Sequence, residues 1–127
     1  MPELPEVETI AAILRHGSDD QPPVTGRQIL DAHLRWERTL ATPPSAVFKA
    51  RIVGQTIVVS GRRGKYLLLP LSSDTLIIHL RMSCDLFVES VTEPPALHHR
   101  LMLDLEGKLR LAFNDTRKFG RVWLTSD

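Results

Sequence analysis

Apolar residues recur at two different periods along this chain, and the change of period separates a helical start from a strand-rich remainder. Within residues 5–16, Val7, Ile10, Ala11 and Leu14 fall three, one and three positions apart, which places them on one helical stripe. Pro5 suits the first helical turn, the early glutamates suit the positive end of the helix dipole, and Gly17 is a natural stop. Residues 18–26 are loop by composition, and residues 28–34 read as a strand. Residues 39–45, with Pro43-Pro44, are predicted loop. Residues 45–53 are predicted as a second short helix, capped by Ser45 and stopped at Gly54. Everything downstream is strand and turn, with strands expected at 56–60, 65–71, 75–79, 86–89, 99–105, 109–113 and 120–125. Turn signals separate them: Gly61 and Gly64, Ser72-Ser73-Asp74, Pro94-Pro95, Glu106-Gly107 and Asn114-Asp115. Leu101, Leu103 and Leu105 alternate with Met102, Asp104 and Glu106, so one face of that strand is predicted dry. Many short strands with regular turns predict a mainly β fold with some α, an antiparallel sandwich or barrel.

Composition narrows the class. At 127 residues, 43% hydrophobic, the chain is one domain able to bury a core. It has no run of 18 or more apolar residues, and its acidic start is not a signal peptide. A single Cys84 forms neither an internal disulfide nor a cysteine-based zinc site. A reduced cytoplasmic protein with no membrane association is expected. Net charge is only +1, but residues 1–20 carry five acids against Arg15, which leaves +5 on the remainder. The cations cluster at Arg62-Arg63-Lys65, at Arg81 and at Arg117-Lys118-Arg121. An acidic corner beside a basic field suits a polyanion held around a protonating centre.

The candidate chemistry lies at the two ends. A small residue after Met1 favours removal of the methionine, which leaves Pro2 as a free secondary amine. Such an α-amino group titrates near about 7.7–8.0, so a useful fraction is neutral and nucleophilic at cellular pH. Attack on a sugar carbon would form a cationic imine, with Glu3 and Glu6 at hand to move protons. If Met1 stays attached, the Pro2 nitrogen is an amide whose delocalised lone pair cannot attack. Near the other end, Asp115-Thr116-Arg117-Lys118-Phe119-Gly120 would, if extended, point Arg117 and Phe119 to one side. A guanidinium and a flat ring on one exposed face can fill the space left when a base leaves the stack. His98 and His99 are adjacent and would point apart on a strand, with no further ligand at a useful spacing, so they do not read as a metal site.

Met-Pro-Glu-Leu-Pro-Glu-Val-Glu-Thr at residues 1–9 and Asp-x-Arg-Lys-Phe-Gly at 115–120 closely resemble the formamidopyrimidine-DNA glycosylase family. Between them, Gly61-Arg62-Arg63-Gly64-Lys65-Tyr66-Leu67 is similar to the family's phosphate-binding lysine segment. His79-Leu80-Arg81-Met82-Ser83 is similar to its His-Leu-x-Met segment. The Pro-Glu-Leu-Pro-Glu opening resembles the oxidised-purine branch more than the endonuclease VIII branch. The resemblance implies a two-layered antiparallel β-sandwich with an N-terminal helix and a second short helix. It implies a bifunctional DNA glycosylase and AP lyase of base excision repair acting on damaged double-stranded DNA as a monomer, in bacteria at the nucleoid. By resemblance, Pro2 is the nucleophile, Glu3 the proton donor to the opening sugar, and Glu6 a pocket residue beside them. Lys65, counted with this catalytic group, and His79 hold flanking phosphates. Met82, Arg117 and Phe119 fill the void, and His99 is placed among the DNA contacts.

The family continues into a helix–two-turn–helix region and a zinc finger. Residues 1–127 are therefore expected to be the catalytic-side domain of a longer protein, with no cofactor of its own and with zinc in the remaining part. Two departures stand out. Cys84 occupies a position where the family usually has glycine, which predicts strain if a positive φ is needed. Residues 17–24 look longer than the family's usual link and are expected to be a mobile surface insertion. Two other functional readings stand beside the leading one: a DNA-binding module without chemistry, and an endonuclease VIII-like enzyme for oxidised pyrimidines.

Overall fold

The computed structural model describes residues 4–80, 84–116 and 120–126. Two sheets pack face to face. One has four strands in the order β1-β7-β8-β6, and the other has five in the order β2-β9-β5-β4-β3. The strands are β1 (Ile29–Leu34), β2 (Leu40–Thr42), β3 (Gly61–Arg63), β4 (Tyr66–Pro70), β5 (Thr75–His79), β6 (Cys84–Ser90), β7 (His99–Leu105), β8 (Leu109–Asp115) and β9 (Arg121–Thr125). The predicted sandwich is therefore present. Among the described residues, the one parallel pairing is β2 on β9, at a sheet edge.

Helix α1 (Leu4–His16) forms where the 3.6-residue stripe predicts it. Val7, Ala11 and Leu14 are fully buried. Each large apolar side chain so buried contributes about 1.5–3 kcal/mol. Gly17 closes the helix at φ +80°, its N–H donating to Ile13 O at 2.7 Å. Helix α2 (Ser45–Ile52) buries Phe48 and Ile52. Ser45 is its first helical residue rather than its cap, because Pro44 occupies the cap position and no side-chain cap bond forms.

Three other expectations are corrected. Residues 56–60 do not form a strand; they make only isolated bridges, Gln28 with Thr56 and Ile57 with Leu71. The segment is a connector whose amides are taken up by neighbours, Thr56 N by Ser72 Oγ and Val58 N by Pro70 O. The strand begins instead at Gly61, which was expected to be a turn. Residues 17–24 are held in place: Gln21 Oε1 accepts from Val88 N at 2.8 Å, and Val24 is fully buried. Cys84 opens β6 without a positive φ; among the described residues, Lys108 is the only non-glycine with one.

Candidate functional site

Strand register brings the predicted segments to one mouth of the sandwich. The chain leaves the five-stranded sheet at His79 and enters the four-stranded sheet at Cys84; it returns from Asp115 to Arg121. His79 pairs with Arg121, and Cys84 pairs with Asp115. The two crossovers, containing residues 80–83 and 116–120, therefore spring from neighbouring strand ends. The Gly64-Lys65 turn joins β3 to β4 beside them, since Tyr66 pairs with both Arg63 and His79.

Helix α1 aims its N-terminal end at the same mouth. Ser60 Oγ donates to Ala11 O at 3.0 Å, and two residues further along the chain Arg62 Nε meets Glu8 Oε1 at 2.8 Å. Moving up the helix towards its start thus tracks the strand towards Lys65. Glu6 lies exposed in the first turn, and Lys65 is partly exposed. Pro2, Glu3, Met82, Arg117 and Phe119 lie outside the described residues. Arg62 does not join the basic field as expected, because its guanidinium is drawn back to Glu8 on α1.

His79 is 8% exposed, and its ring centroid lies 4.6 Å from that of Tyr66. Its strand alternates inward Leu76 and Ile78 with outward Ile77 and His79, just as β9 alternates inward Val122 and Leu124 with Arg121 and Trp123. Tyr66, His79 and Arg121 therefore form a transverse row on the outer face of this sheet.

The loop carrying Arg117 and Phe119 has well-defined roots. Asp115 is fully buried, and its Oδ2 accepts from Gly120 N at 2.8 Å. Arg100 Nε donates to Asp115 O at 2.9 Å, and Asp115 N donates to His98 O at 2.9 Å. Gly120 has no space for a side chain, since an added Cβ would sit 2.4 Å from Phe113 Cζ. This clasp was not expected from the sequence. Its signal is a buried-type strand ending in aspartate, with glycine five residues on.

His99 is a correction. It is 2% exposed, its Nδ1 accepts from Ala96 N at 3.2 Å, and its ring packs edge-on to Phe87. A bulge separates it from Leu101, and it sits on the outer face of the four-stranded sheet covered by Phe87 and Glu89, which leaves it almost no surface to offer a ligand. The more accessible neighbour is the half-buried His98, whose Nδ1 lies 3.2 Å from Arg100 Nη2 at the foot of the clasp. Burial, chiefly, pushes the His99 pKa below its usual value; the Arg110 and Arg35 charges act in the same direction, and Glu89 opposes them. A depressed histidine pKa means the unfolded chain takes up the proton first. Stability is therefore expected to be unaffected by His99 above about pH 6.5 and to fall as pH drops below it. Urea unfolding between pH 7 and 5 should show a steeper loss for the wild type than for His99→Gln.

The one metal-type cluster among the described residues is Asp31, His33 and Asp104, with His33 Nε2 3.1 Å from Asp104 Oδ2. Lys49 Nζ already neutralises Asp31 at 3.3 Å, and Asp31 is held below the usual carboxylate range, chiefly by the Ala32 N–H. These groups satisfy one another on the outer face of the four-stranded sheet. A cysteine-type zinc site does not fit this chain, which has one cysteine.

The profile of the formamidopyrimidine-DNA glycosylase N-terminal domain matches residues 1–122. The formamidopyrimidine-DNA glycosylase of Chloroflexus aurantiacus is 48% identical over 126 residues, covering 98% of this chain and 43% of that protein. That of Protochlamydia amoebophila is 42% identical over 129 residues, covering 100% and 45%. The chain thus spans less than half the length of these relatives. Among solved structures, Lactococcus lactis FPG (MutM) in complex with FAPY-dG-containing DNA aligns with a TM-score of 0.88 and 31% identity, covering 98% of this chain and 44% of that one. The same enzyme non-covalently bound to AP-site DNA also aligns at 0.88, covering 98% and 45%. Sequence motifs, sandwich topology and these likenesses agree: the chain belongs to the formamidopyrimidine-DNA glycosylase family, matching its N-terminal domain.

Proposed function

We propose that the protein carrying this domain is a bifunctional DNA glycosylase and AP lyase that removes oxidised purines from duplex DNA in the bacterial cytoplasm. The observation that carries this reading is the convergence at one mouth of the α1 N-terminal end, the Lys65 turn, His79 and the two crossovers. In this reading the Pro2 nitrogen attacks C1′ of the damaged nucleotide and the glycosidic bond breaks. Glu3 protonates the opening sugar oxygen, and an iminium remains on Pro2. That cation is an electron sink, so the 3′ and then the 5′ phosphate leave by elimination, giving a one-nucleotide gap. Glu6 borders the pocket. Lys65 grips a flanking phosphate, and His79 offers a ring nitrogen whose orientation Tyr66 fixes. Met82, Arg117 and Phe119 occupy the vacated stack. The family's zinc finger would belong to the remainder of the protein, and no step here passes through zinc. The known ligands of the structural relatives, FAPY-dG and AP-site DNA, support the substrate class.

Duplexes containing 8-oxoguanine, thymine glycol or a preformed abasic site test this reading. With the full-length protein we expect base release and strand scission at 8-oxoguanine, together with a borohydride-stable adduct. Preference for thymine glycol would move the enzyme to oxidised pyrimidines. Duplex binding with no adduct, on protein confirmed to lack Met1, would make it a binding module.

A further inference from the structure

We propose that Arg121 is a third phosphate-gripping residue, adjoining His79 on the outer face of the five-stranded sheet. The inference rests on the DNA-binding reading above and adds a contact to it. Three observations support it. First, Arg121 is the direct cross-strand partner of His79, and both point outward, so their side chains leave the sheet as neighbours. Second, its Nε is shut off from solvent and has no hydrogen-bond acceptor. Third, no carboxylate among the described residues pairs with it, although Arg15, Arg51, Arg62 and Arg110 all have one. An unsatisfied buried donor is costly, and its retention is explained when a ligand brings the acceptor.

The missing acceptor is an anion that offers two oxygens to the planar fork of a guanidinium, which binds it through two parallel N–H donors. Next to His79 and the Lys65 turn, the fitting anion is the DNA phosphodiester. The contact is to backbone and not to a base edge, so it positions the duplex without reading sequence. Tyr66 packs on His79 on the side away from Arg121, since the strand order places β5 between β4 and β9. The row thus presents an aromatic wall followed by two nitrogen donors.

The test is salt-dependent binding of the full-length protein to a duplex holding a tetrahydrofuran abasic analogue, comparing wild type, Arg121→Gln and Arg121→Lys. Loss of one phosphate contact should lower the slope of log K against log salt by about 0.9 and weaken binding three- to tenfold near 0.1 M salt. Arg121→Lys should keep the slope and recover part of the affinity. The thermal midpoint of Arg121→Gln should not fall, because an orphan donor is removed. A wild-type slope in Arg121→Gln, or a clear loss of its thermal stability, would assign Arg121 a structural role and overturn the proposal. Absence of salt-dependent binding by the wild type would instead overturn the DNA-binding reading and take this contact with it.

Discussion

A protein that keeps Met1 should form no borohydride-stable adduct with an abasic duplex, whereas its processed counterpart should form one readily. The expected loss is on the order of a thousandfold or more, the scale seen when an enzyme's nucleophile is removed. The physical reason is local. Amide resonance withdraws the lone pair of an acylated proline nitrogen, while a free terminal imino group titrates close to cellular pH. Intact mass reports which species is present, so the comparison needs no assumption about processing. Pro2→Gly, processed to a primary amine, should retain a reduced but measurable rate, because an imine still forms. Equal adduct yields from processed and unprocessed protein would remove Pro2 from the mechanism and leave the acids beside it without a partner.

The second large effect is expected from Gly120→Ala. The added methyl group would lie 2.4 Å from Phe113 Cζ and 2.9 Å from Cys84 Sγ. Phe113 is 1% exposed within the core, so its ring cannot swing aside. Overpacking of this kind costs about 1–3 kcal/mol. Relief by moving the backbone would break the Gly120 N–H bond to Asp115 and displace the root of the Arg117–Phe119 segment. We expect a thermal midpoint several degrees lower and a roughly tenfold fall in adduct formation, about 1.4 kcal/mol in barrier. The double variant Gly120→Ala, Phe113→Leu should recover part of both, since the smaller side chain vacates the contested space. A Gly120→Ala protein with wild-type stability and activity would show that the clasp does not set the position of that segment.

Elements with a strong period and clean stops were legible before any coordinates. Helix α1 and strands β5 and β7 fall where stripe, alternation and turn residues place them. Strand β2 was not legible: three residues carry no period, and its existence depends on a partner far along the chain, with Leu40 pairing with Val122 of β9. Residues 56–60 failed for the converse reason. Val58 and Val59 look like strand residues, yet no neighbouring strand runs along them, and both remain substantially exposed. The burial of His99 was not legible either, because a bulge between His99 and Leu101 breaks the alternation and the covering residues Phe87 and Glu89 come from another strand. The Asp115 clasp and the Arg121 row belong to a different category. The row depends on which strands become neighbours in the sheet, which no local pattern encodes, whereas the aspartate–glycine spacing of the clasp is visible in the sequence but not the burial that gives it meaning.

The crossovers set a limit on tether length. Packed sheets lie about 10 Å apart, and an extended residue spans at most about 3.6 Å, so roughly three residues are the least that can join them. Four residues separate His79 from Cys84, and five separate Asp115 from Arg121. Deleting residues has little slack to draw on, and would pull one layer towards the other, so both joints are held to a minimum length whatever else about them varies.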